Sequence, residues 1–305
     1  MKMNNIKNTF YRLCFFVLSV ILINCVEKNT STLANTGPQR IISLSPHITE
    51  ILFTLDCEES IIAVTDFCTY PPQAKAKTSI GGLLNPNLEI ILALQPDVLI
   101  GSPAHSELAI KFQDKNMKFV LLPDRTLQDI YQTIDSIGII LHIEQKAVQL
   151  NKSIRDSLTK YHNIKPEIKE IPRAVFLFGG DSGPAQALSA IGPGSFTDDL
   201  WREIGGQNAL ADLHTSFAQI NREAFINANP DIIIEFRPDL PEKSGIEKAS
   251  LEDWSEFMHL KAYKHNQIYR IPGQYALIPG PRIIKLSRAY LEILNLYQHK
   301  NDAVK

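Results

Sequence analysis

Two glutamates occupy equivalent positions in two similar stretches of this chain. Residues 87–100 and 221–234 share Asn, Glu, Pro, Asp and Ile at one constant offset of 134 residues (221 − 87), and the two glutamates are Glu89 and Glu223. Each stretch predicts an Asn-capped helix that breaks at Pro-Asp before an apolar strand. A carboxylate in a first helical turn gains roughly 0.3 to 1 kcal/mol from the helix dipole, which accounts for each glutamate separately but not for their equivalence. The chemistry that such a pair offers is charge pairing at two points of a two-fold partner.

No motif of a known catalytic site occurs in the sequence. The sequence contains no nucleophile elbow, P-loop, HExxH motif or dinucleotide-binding glycine fingerprint in a strand-to-helix context. Asp181, Asp198 and Asp199 are of the right type for general acids, yet no nucleophile or partner base stands beside them. The Gly-Pro-Gly run at 192–194 lacks one of the amides that a phosphate cradle needs. The sequence therefore predicts a binding protein and not an enzyme.

Composition and charge restrict the class of partner. The 305 residues have room for roughly two domains, and 44% hydrophobic with 21% charged residues is typical of a globular protein. A formal charge of −2 without a dense Lys/Arg run argues against nucleic acid, because phosphate binding needs a concentrated basic surface. Cys57 and Cys68 lie in the main domain, either as a disulfide or as two free thiols. Their spacing is not of the zinc type, so no metal is predicted.

Residues 1–25 predict an export signal. Basic residues precede an apolar run at 13–23, which is about the length of a signal-peptide core and too short for a comfortable membrane span. The run leads to Cys25 in a Leu-Ile-Asn-Cys sequence that resembles the lipobox of bacterial lipoproteins, although Asn24 replaces the usual Gly, Ala or Ser. Lipidation at Cys25 is expected, with a plain secretory signal or an uncleaved anchor as alternatives. Residues 26–39 are polar and aperiodic, which indicates a tether to an exported, periplasmic or cell-surface domain.

Alternating strand and helix patterns follow the tether and predict an α/β fold with mostly parallel sheets. We expect an N-terminal lobe at 40–126, a helical connector at 127–165 and a C-terminal lobe at 166–305. Apolar residues spaced by three and four form a single stripe in the connector, which predicts one helix over 144–163 of about 30 Å. Such a helix can join two pseudo-symmetric lobes stiffly. Other predicted strands are 40–44, 61–65, 98–100, 119–122, 173–178 and 267–271, and other predicted helices are 49–55, 106–115, 128–140, 195–204 and 281–298.

Seven short motifs occur in order between Arg40 and the terminal helix. They are Arg40-Ile-Ile-Ser-Leu-Ser-Pro-His-Ile-Thr-Glu50, Tyr70-Pro-Pro72, Gly81-Gly82, Asn87-Leu-Glu89, Gln95-Pro-Asp97, Gly205-Gly206-Gln-Asn208 and Pro279-Gly-Pro-Arg282. In order and spacing they resemble the helical-backbone substrate-binding proteins of ABC importers, the group that serves vitamin B12, ferric siderophores and haem, and most closely its vitamin B12-binding members. The resemblance implies a class III periplasmic binding protein, with two lobes joined by one long helix and a ligand in the cleft between them.

The same resemblance implies a partner for the repeated glutamates. In vitamin B12 importers, one exposed glutamate on each lobe pairs with arginines on the two copies of the permease, and the matching positions here are Glu89 and Glu223. The expected partners are therefore an ABC permease dimer with its ATPase, a small-molecule ligand, and the membrane through a lipid at Cys25. No resident cofactor is expected, because a corrinoid or iron chelate would be the cargo.

The predicted ligand residues lie on loops at strand ends that face the other lobe, where open α/β sheets bind ligands. They are Pro46, His47, Phe67, Tyr70, Gly82, Leu83 and His105 from the first lobe, and Phe217, Tyr275 and Arg282 from the second. Aromatic side chains suit a large flat ligand, since each offers wide apolar area with little rotamer entropy to lose. The resemblance places Phe67, Phe217 and Tyr275 where the vitamin B12-binding proteins have aromatic contacts. Leu83 and Ser102 fall near two positions where those proteins have Trp.

The cleft chemistry and the ligand class have open alternatives. A neutral imidazole of His47 or His105 can ligate haem iron or cobalt or hydrogen-bond a ligand carboxylate, whereas the plainer alternative is a solvated loop histidine. Arg282 can contact the ligand or brace the loop after Gly273. A zinc or manganese variant would need three or four ligands from both lobes, and the second lobe offers only His214 near the right region. A surface lipoprotein that binds a protein partner is the other alternative function.

Overall fold

The computed structural model describes residues 37–303, apart from 116, 169, 180–187 and 244, with side chains described as far as 299. The predicted signal peptide, the lipidation site Cys25 and most of the tether lie outside the described residues, as does Asp181. Within this part of the chain, no helix is long and apolar enough to cross a membrane. Cys57 and Cys68 are free thiols, and burial raises the pKa of both.

A five-stranded sheet forms the first half of the described chain. Its strands are β1 (Ile41–Ser43), β2 (Ile61–Val64), β3 (Thr78–Ser79), β4 (Val98–Gly101) and β5 (Lys118–Leu121), and the helices between them are α1 (Pro46–Thr54), α2 (Leu88–Leu94) and α3 (Ser106–Lys111). The strands lie in the order β3-β2-β1-β4-β5 with every neighbouring pair parallel. Parallel pairing brings the carboxyl ends of all five strands to one edge, so the loops that follow them share that edge.

Two antiparallel helices connect the first sheet to the second. In α4 (Leu127–Leu141) the Thr126 hydroxyl accepts the N–H of Asp129 while the Asp129 carboxylate accepts the N–H of Thr126, which forms a capping box. α5 (Glu144–Asn163) has 20 residues, so it is about 30 Å long. The two helices approach closely at Gly138, because this residue has no side chain; an added Cβ would lie only 2.5 Å from the Ala147 Cβ. The observed bounds of α5 match the predicted ones.

The second sheet has seven strands and is mixed. Its strands are β6 (Arg173–Phe178), β7 (Leu188–Ile191), β8 (Gln207–Asn208), β9 (Phe217–Ile220), β10 (Ile232–Arg237), β11 (Glu247–Lys248) and β12 (Ile268–Pro272). They lie in the order β11-β12-β10-β6-β7-β9, and β8 also pairs with β6. β6, β8, β10 and β12 pair in parallel, whereas β7 and β11 are antiparallel to their neighbours. The accompanying helices are α6 (Phe196–Glu203), α7 (Arg222–Ala228), α8 (Lys261–Lys264) and α9 (Ile283–Ala303).

The two sheets share one apolar core. Ala174 and Phe176 of β6 belong to the shared core, together with residues of the first sheet, α4, α5 and α9. Val175 and Leu177, which point to the opposite face of the same strand, pack in a separate cluster. The alternate residues of β1 and β4 divide in the same way. Close packing resists continuous deformation, so the shared core joins the two sheets into one unit.

The predicted fold class is confirmed, although some elements differ. The prediction omits the two-residue strands β3, β8 and β11 and also β7 and β9, which pair antiparallel with each other across distant segments of the sequence. α3 ends at Lys111 instead of residue 115, and α9 runs from Ile283 to Ala303 instead of 281–298. The lobe boundaries at 126 and 165 stay a prediction.

Candidate functional site

The predicted ligand residues lie mainly on the loops after parallel strands. Pro46 and His47 begin α1 directly after β1; Phe67 and Tyr70 follow β2; Gly82 and Leu83 follow β3; His105 follows β4; Tyr275 and Arg282 follow β12; and Phe217 opens β9. The candidates thus come from both sheets. Their exposure and hydrogen bonds divide them into those with a free surface and those that hold the loops.

Phe67 and Phe217 present large apolar surfaces without covering protein. The fractional exposure of Phe67 is 56% and that of Phe217 is 52%. The Phe217 ring stands edge-on against Phe178, with ring centroids 5.8 Å apart. Phe178 packs against the shared core, so Phe217 lies on the side of the second sheet that faces this core. Leu84, on the same predicted cleft loop after β3 as Gly82 and Leu83, is 69% exposed.

His105 holds the Leu83 loop in place. The His105 ring is 1% exposed, its Nδ1 accepts the N–H of Ser102 at 3.1 Å, and its Nε2 lies 2.9 Å from the Leu83 carbonyl oxygen. The contact with Leu83 places a proton on Nε2, because a carbonyl oxygen can only accept. Both ring nitrogens are therefore engaged. In this conformation the lone pair that would ligate haem iron or cobalt is used inside the protein.

His47 is buried in the first turn of α1. Its side chain is 5% exposed, and its Nε2 has no hydrogen-bond partner among the described residues. Burial, with a smaller contribution from His105, lowers the pKa of His47 to about 3, so its imidazole is neutral at physiological pH. The loop around Gly280 covers it, since an added Cβ at Gly280 would lie 3.8 Å from the Cα of His47. Pro46, one residue earlier, is half-buried.

Arg282 is 7% exposed and is occupied by protein partners. Its Nε and Nη2 donate to the two carboxylate oxygens of Glu50 at 2.9 and 2.5 Å, and its Nη1 donates to Glu242 at 2.6 Å. The Tyr70 ring lies over the guanidinium, with 3.8 Å from the Arg282 Cζ to the ring centroid. Glu50, in α1, is absent from the sequence prediction. Its only sequence signal is its position in the first motif.

Tyr275 is also enclosed by protein. It is 2% exposed, and burial raises its pKa to about 12. Tyr70 keeps 38% of its surface exposed, while Gly82 and Leu83 are half-buried in a tight turn where an added Cβ at Gly82 would lie 2.3 Å from the Asn85 side-chain oxygen. The free apolar surface of the candidate site is therefore concentrated in Phe67, Phe217 and the loop after β3.

The two repeated stretches form equivalent helices, α2 and α7, of seven residues each. The Asn87 side chain accepts the N–H groups of Glu89 and Ile90, and the Asn221 side chain accepts the N–H of Ala224, so both predicted N-caps are confirmed. The carboxylates of Glu89 and Glu223 are exposed in the first turn of their helices. No ion pair of the described residues engages either of them, which leaves both carboxylates available to an external cation.

The repeat extends further than the sequence indicated. Arg40 directly precedes β1, and Arg173 is the first residue of β6. The Arg40 guanidinium donates to a carbonyl at the end of α2, and the Arg173 guanidinium donates to a carbonyl at the end of α7. Each backbone N–H donates at 3.0 Å to the carboxylate of the Pro-Asp pair, which is Asp97 or Asp231. The Pro-Asp carboxylates therefore anchor the start of each sheet.

No group of three or more His, Cys, Asp or Glu side chains in the described residues is placed to hold a metal ion. The chemistry that the site offers is apolar and aromatic contact on loops held by buried polar bonds. Two sheets on one shared core, with an exposed aromatic side chain after β2 of the first and at the start of β9 of the second, define a two-lobed α/β binding protein.

The periplasmic binding protein family model matches residues 41–275, and the chain belongs to this family. The chain is 30% identical over 254 residues to the uncharacterized ABC transporter substrate-binding lipoprotein YvrC of Bacillus subtilis, and the aligned residues cover 81% of this chain and 77% of that protein. It is 26% identical over 262 residues to the high-affinity heme uptake system protein IsdE of Staphylococcus aureus, covering 84% and 87%. The periplasmic vitamin B12 binding protein BtuF of Vibrio cholerae has the same fold, with a TM-score of 0.68, 22% identity and coverage of 86% and 98%. Members of the family bind solutes for transport and are not enzymes, which confirms that prediction.

Proposed function

We propose that this protein is the substrate-binding lipoprotein of an ABC importer, which captures a large metal chelate between its two lobes. The observation that carries this proposal is the pair of exposed aromatic side chains, Phe67 at 56% on the loop after β2 of the first sheet and Phe217 at 52% at the start of β9 in the second. Ligand sites are lined largely by apolar and aromatic side chains, so one exposed ring from each sheet suits a ligand with two apolar faces. The chelates that fit this description are haem, a corrinoid and a ferric siderophore.

The relatives support this ligand class. The Staphylococcus aureus relative is a haem uptake protein, and the Vibrio cholerae protein with the same fold binds vitamin B12. Both ligands are wide macrocycles that can stack on aromatic rings. Covering the exposed part of each ring, roughly 100 Å² at about 25 cal/mol per Å², contributes about 2.5 kcal/mol per ring. The two rings together supply a substantial part of a micromolar affinity, which corresponds to about 8 kcal/mol.

The paired helices α2 and α7 are proposed to contact the permease. Glu89 and Glu223 are exposed, form no ion pair within the described part of the chain and lie at equivalent positions of a two-fold repeat. A permease dimer presents two equivalent surfaces, so it can engage both carboxylates with equivalent cations. Exposed charge pairs of this kind determine the docking orientation and the association rate more than the affinity.

The anchor is proposed to be a lipid on Cys25. The Leu-Ile-Asn-Cys sequence after the apolar signal core supports this, as does the similarity to a Bacillus subtilis lipoprotein. The tether of about a dozen polar residues would then place the binding domain outside the membrane that it serves.

Calorimetric titration of the purified mature chain tests the proposed ligand class. Haemin, cobalamin, cobinamide and a set of ferric siderophores are titrated in turn, since Trp201 and Trp254 are 0% and 2% exposed and cannot report ligand contact directly. We expect submicromolar binding of one compound, with Phe67→Ala and Phe217→Ala each weakening it by roughly 30-fold, the equivalent of 2 kcal/mol. The variant Ile110→Ala, which truncates a 62% exposed apolar side chain on α3, is the matched control. Absence of binding by every compound, or equal loss in the control, would contradict the proposal.

Uptake measurements test the proposed docking surface separately. The double variant Glu89→Arg/Glu223→Arg should bind the ligand as the wild type does and fail to support uptake. The double variant Glu107→Arg/Glu144→Arg reverses two exposed first-turn glutamates outside the repeat and should support normal uptake. Uptake that persists in the first double variant would refute the docking surface without affecting the ligand proposal.

A further inference from the structure

One buried ion-pair cluster connects elements that are far apart in sequence. Arg282, which precedes α9, is bonded to Glu50 in α1 across 232 residues of sequence and to Glu242, and Glu242 also accepts from the Lys285 ammonium at 2.5 Å. Tyr70 stacks on Arg282 at 3.8 Å. We call Glu50, Tyr70, Glu242, Arg282 and Lys285 the interlobe clamp.

The Arg282 guanidinium of the clamp is buried and already paired with two carboxylates. Arg282 is 7% exposed and Glu50 is 2% exposed, and the three guanidinium nitrogens all donate to carboxylates. Two carboxyl groups face two cationic groups, so the cluster balances its own charge. A buried arginine that lost these partners to bind a ligand would leave Glu50 without compensation, which is unfavourable.

The clamp is joined to the loop that carries Phe67. This loop runs from Asp66 to Tyr70, and the Thr69 hydroxyl donates to the side-chain oxygen of Gln274 in the second lobe at 2.9 Å. Tyr70 ends the loop with its ring on Arg282. Gly280, three residues before α9, packs against α1, since a Cβ added at Gly280 would lie 3.4 Å from the carboxylate of Glu50 in that helix. The second lobe therefore contacts both α1 and the Phe67 loop.

We propose that Arg282 and Tyr70 are positioning residues, which fix the Phe67 loop relative to the second lobe and so set the distance between the two aromatic surfaces of the cleft. Arg282 acts through Glu50 and Tyr70 and does not touch the ligand. The effect on ligand affinity rests on the proposed function, whereas the effect on the loop does not. Preorganisation of this kind improves binding because less loop entropy is lost when the ligand arrives.

The consequence is a graded response at Tyr70. Phe at this position keeps the ring over the guanidinium, whereas Leu removes the cation–π contact and keeps an apolar side chain of similar size. Tyr70→Phe should therefore behave as the wild type, and Tyr70→Leu should loosen the loop while leaving the buried Glu50–Arg282 pair in place. Arg282→Lys keeps the charge and loses the two-point contact with Glu50, so it should loosen the loop as well.

Hydrogen–deuterium exchange of the mature chain without ligand gives the first readout. The amides of Cys68 and Thr69 are bonded to Thr65 and Phe67 within the loop. In Tyr70→Leu and Arg282→Lys, exchange in 66–70 and 274–280 should rise about tenfold or more, while α5 keeps its wild-type protection. Unchanged exchange in these two segments, or equal increases in α5, would overturn the proposal.

Calorimetric titration with haemin and with cobinamide gives the second readout. For the probe that binds the wild type, Tyr70→Leu should weaken binding by about tenfold and Tyr70→Phe by less than twofold. Equal loss in both variants would mean that the Tyr70 hydroxyl contacts the ligand, and this would overturn the positioning role. If neither probe binds the wild type, the exchange measurement alone decides the clamp.

Discussion

Removing the guanidinium of Arg282 should destabilise the protein severely. Arg282→Met keeps most of the side-chain volume but deletes both bonds to Glu50 and the bond to Glu242. Glu50 is 2% exposed, so its carboxylate would remain buried without a cation. Breaking a buried pair by removing one partner costs about 3 to 5 kcal/mol. At 2 to 4 °C per kcal/mol for a chain of this size, the melting temperature should fall by roughly 10 °C.

The loss should also depend on pH in a defined direction. Desolvation already raises the pKa of Glu50 in the wild type, against the opposing effect of Arg282. Without Arg282 this pKa rises further, so the folded variant binds a proton that the unfolded chain releases above about pH 4.5. A raised folded-state pKa gives stability that is present at low pH and lost as the pH rises. The destabilisation should therefore be smaller at pH 5 than at pH 8.

Urea unfolding of wild type and variant at both pH values measures the effect. Titration of His47 affects both proteins equally, so it cancels in the difference. The double variant Glu50→Gln/Arg282→Met removes the buried charge and should recover part of the lost stability. A loss below about 1 kcal/mol in Arg282→Met, or a larger loss at pH 5 than at pH 8, would refute this account of the clamp.

Three further predictions concern other parts of the chain. Burial lowers the pKa of His47 to about 3, so at pH 4 its imidazole stays neutral in the folded protein and is protonated in the unfolded chain. Between pH 7 and pH 4 the free energy of unfolding should therefore fall by roughly 3 kcal/mol more in the wild type than in a His47→Gln variant. Urea unfolding at the two pH values measures both changes, and an equal fall in the two proteins would contradict the prediction. Cys25→Ala should abolish labelling with an alkyne fatty acid and release the protein from membranes; retained label would exclude Cys25 as the anchor. In Gly206→Ala the new Cβ would lie 2.0 Å from the buried Trp201 ring, so overpacking should cost roughly 1 to 3 kcal/mol in thermal unfolding, and an unchanged melting temperature would contradict this.

The sequence predicts elements whose causes are local. The bounds of α5 at 144–163 and of β6 at 173–178 match the prediction, since an uninterrupted apolar stripe and a run of apolar strand formers are properties of consecutive residues. The N-caps Asn87 and Asn221 are local in the same sense. β7 and β9 are different, because their stability comes from antiparallel pairing between residues about 30 positions apart. Unlike β2 and β4, these two strands contain Ser or Gln among their apolar residues and do not form a continuous apolar run.

The roles of the site residues are less predictable because they depend on distant partners. Arg282 has a sequence context that suits either ligand contact or loop bracing, and only the bond to Glu50, 232 residues away, determines its environment. The tautomer of His105 depends on the Leu83 carbonyl, 22 residues earlier. Likewise, the carboxylates of the two Pro-Asp pairs accept the backbone N–H groups of Arg40 and Arg173, which are distant in sequence. Sequence reasoning predicts loops at the strand ends as the site, whereas the long-range bonds of the residues on those loops are visible only in the structure.

A crystal structure of the mature chain with the chelate that binds it would test the central claim most directly. The account predicts that the macrocycle or chelate lies between the lobes, with ligand atoms within about 4 Å of both Phe67 and Phe217 and with the Glu50–Arg282 pair intact. A chelate that contacts one lobe only, or a complex in which the Glu50–Arg282 pair is broken, would contradict it.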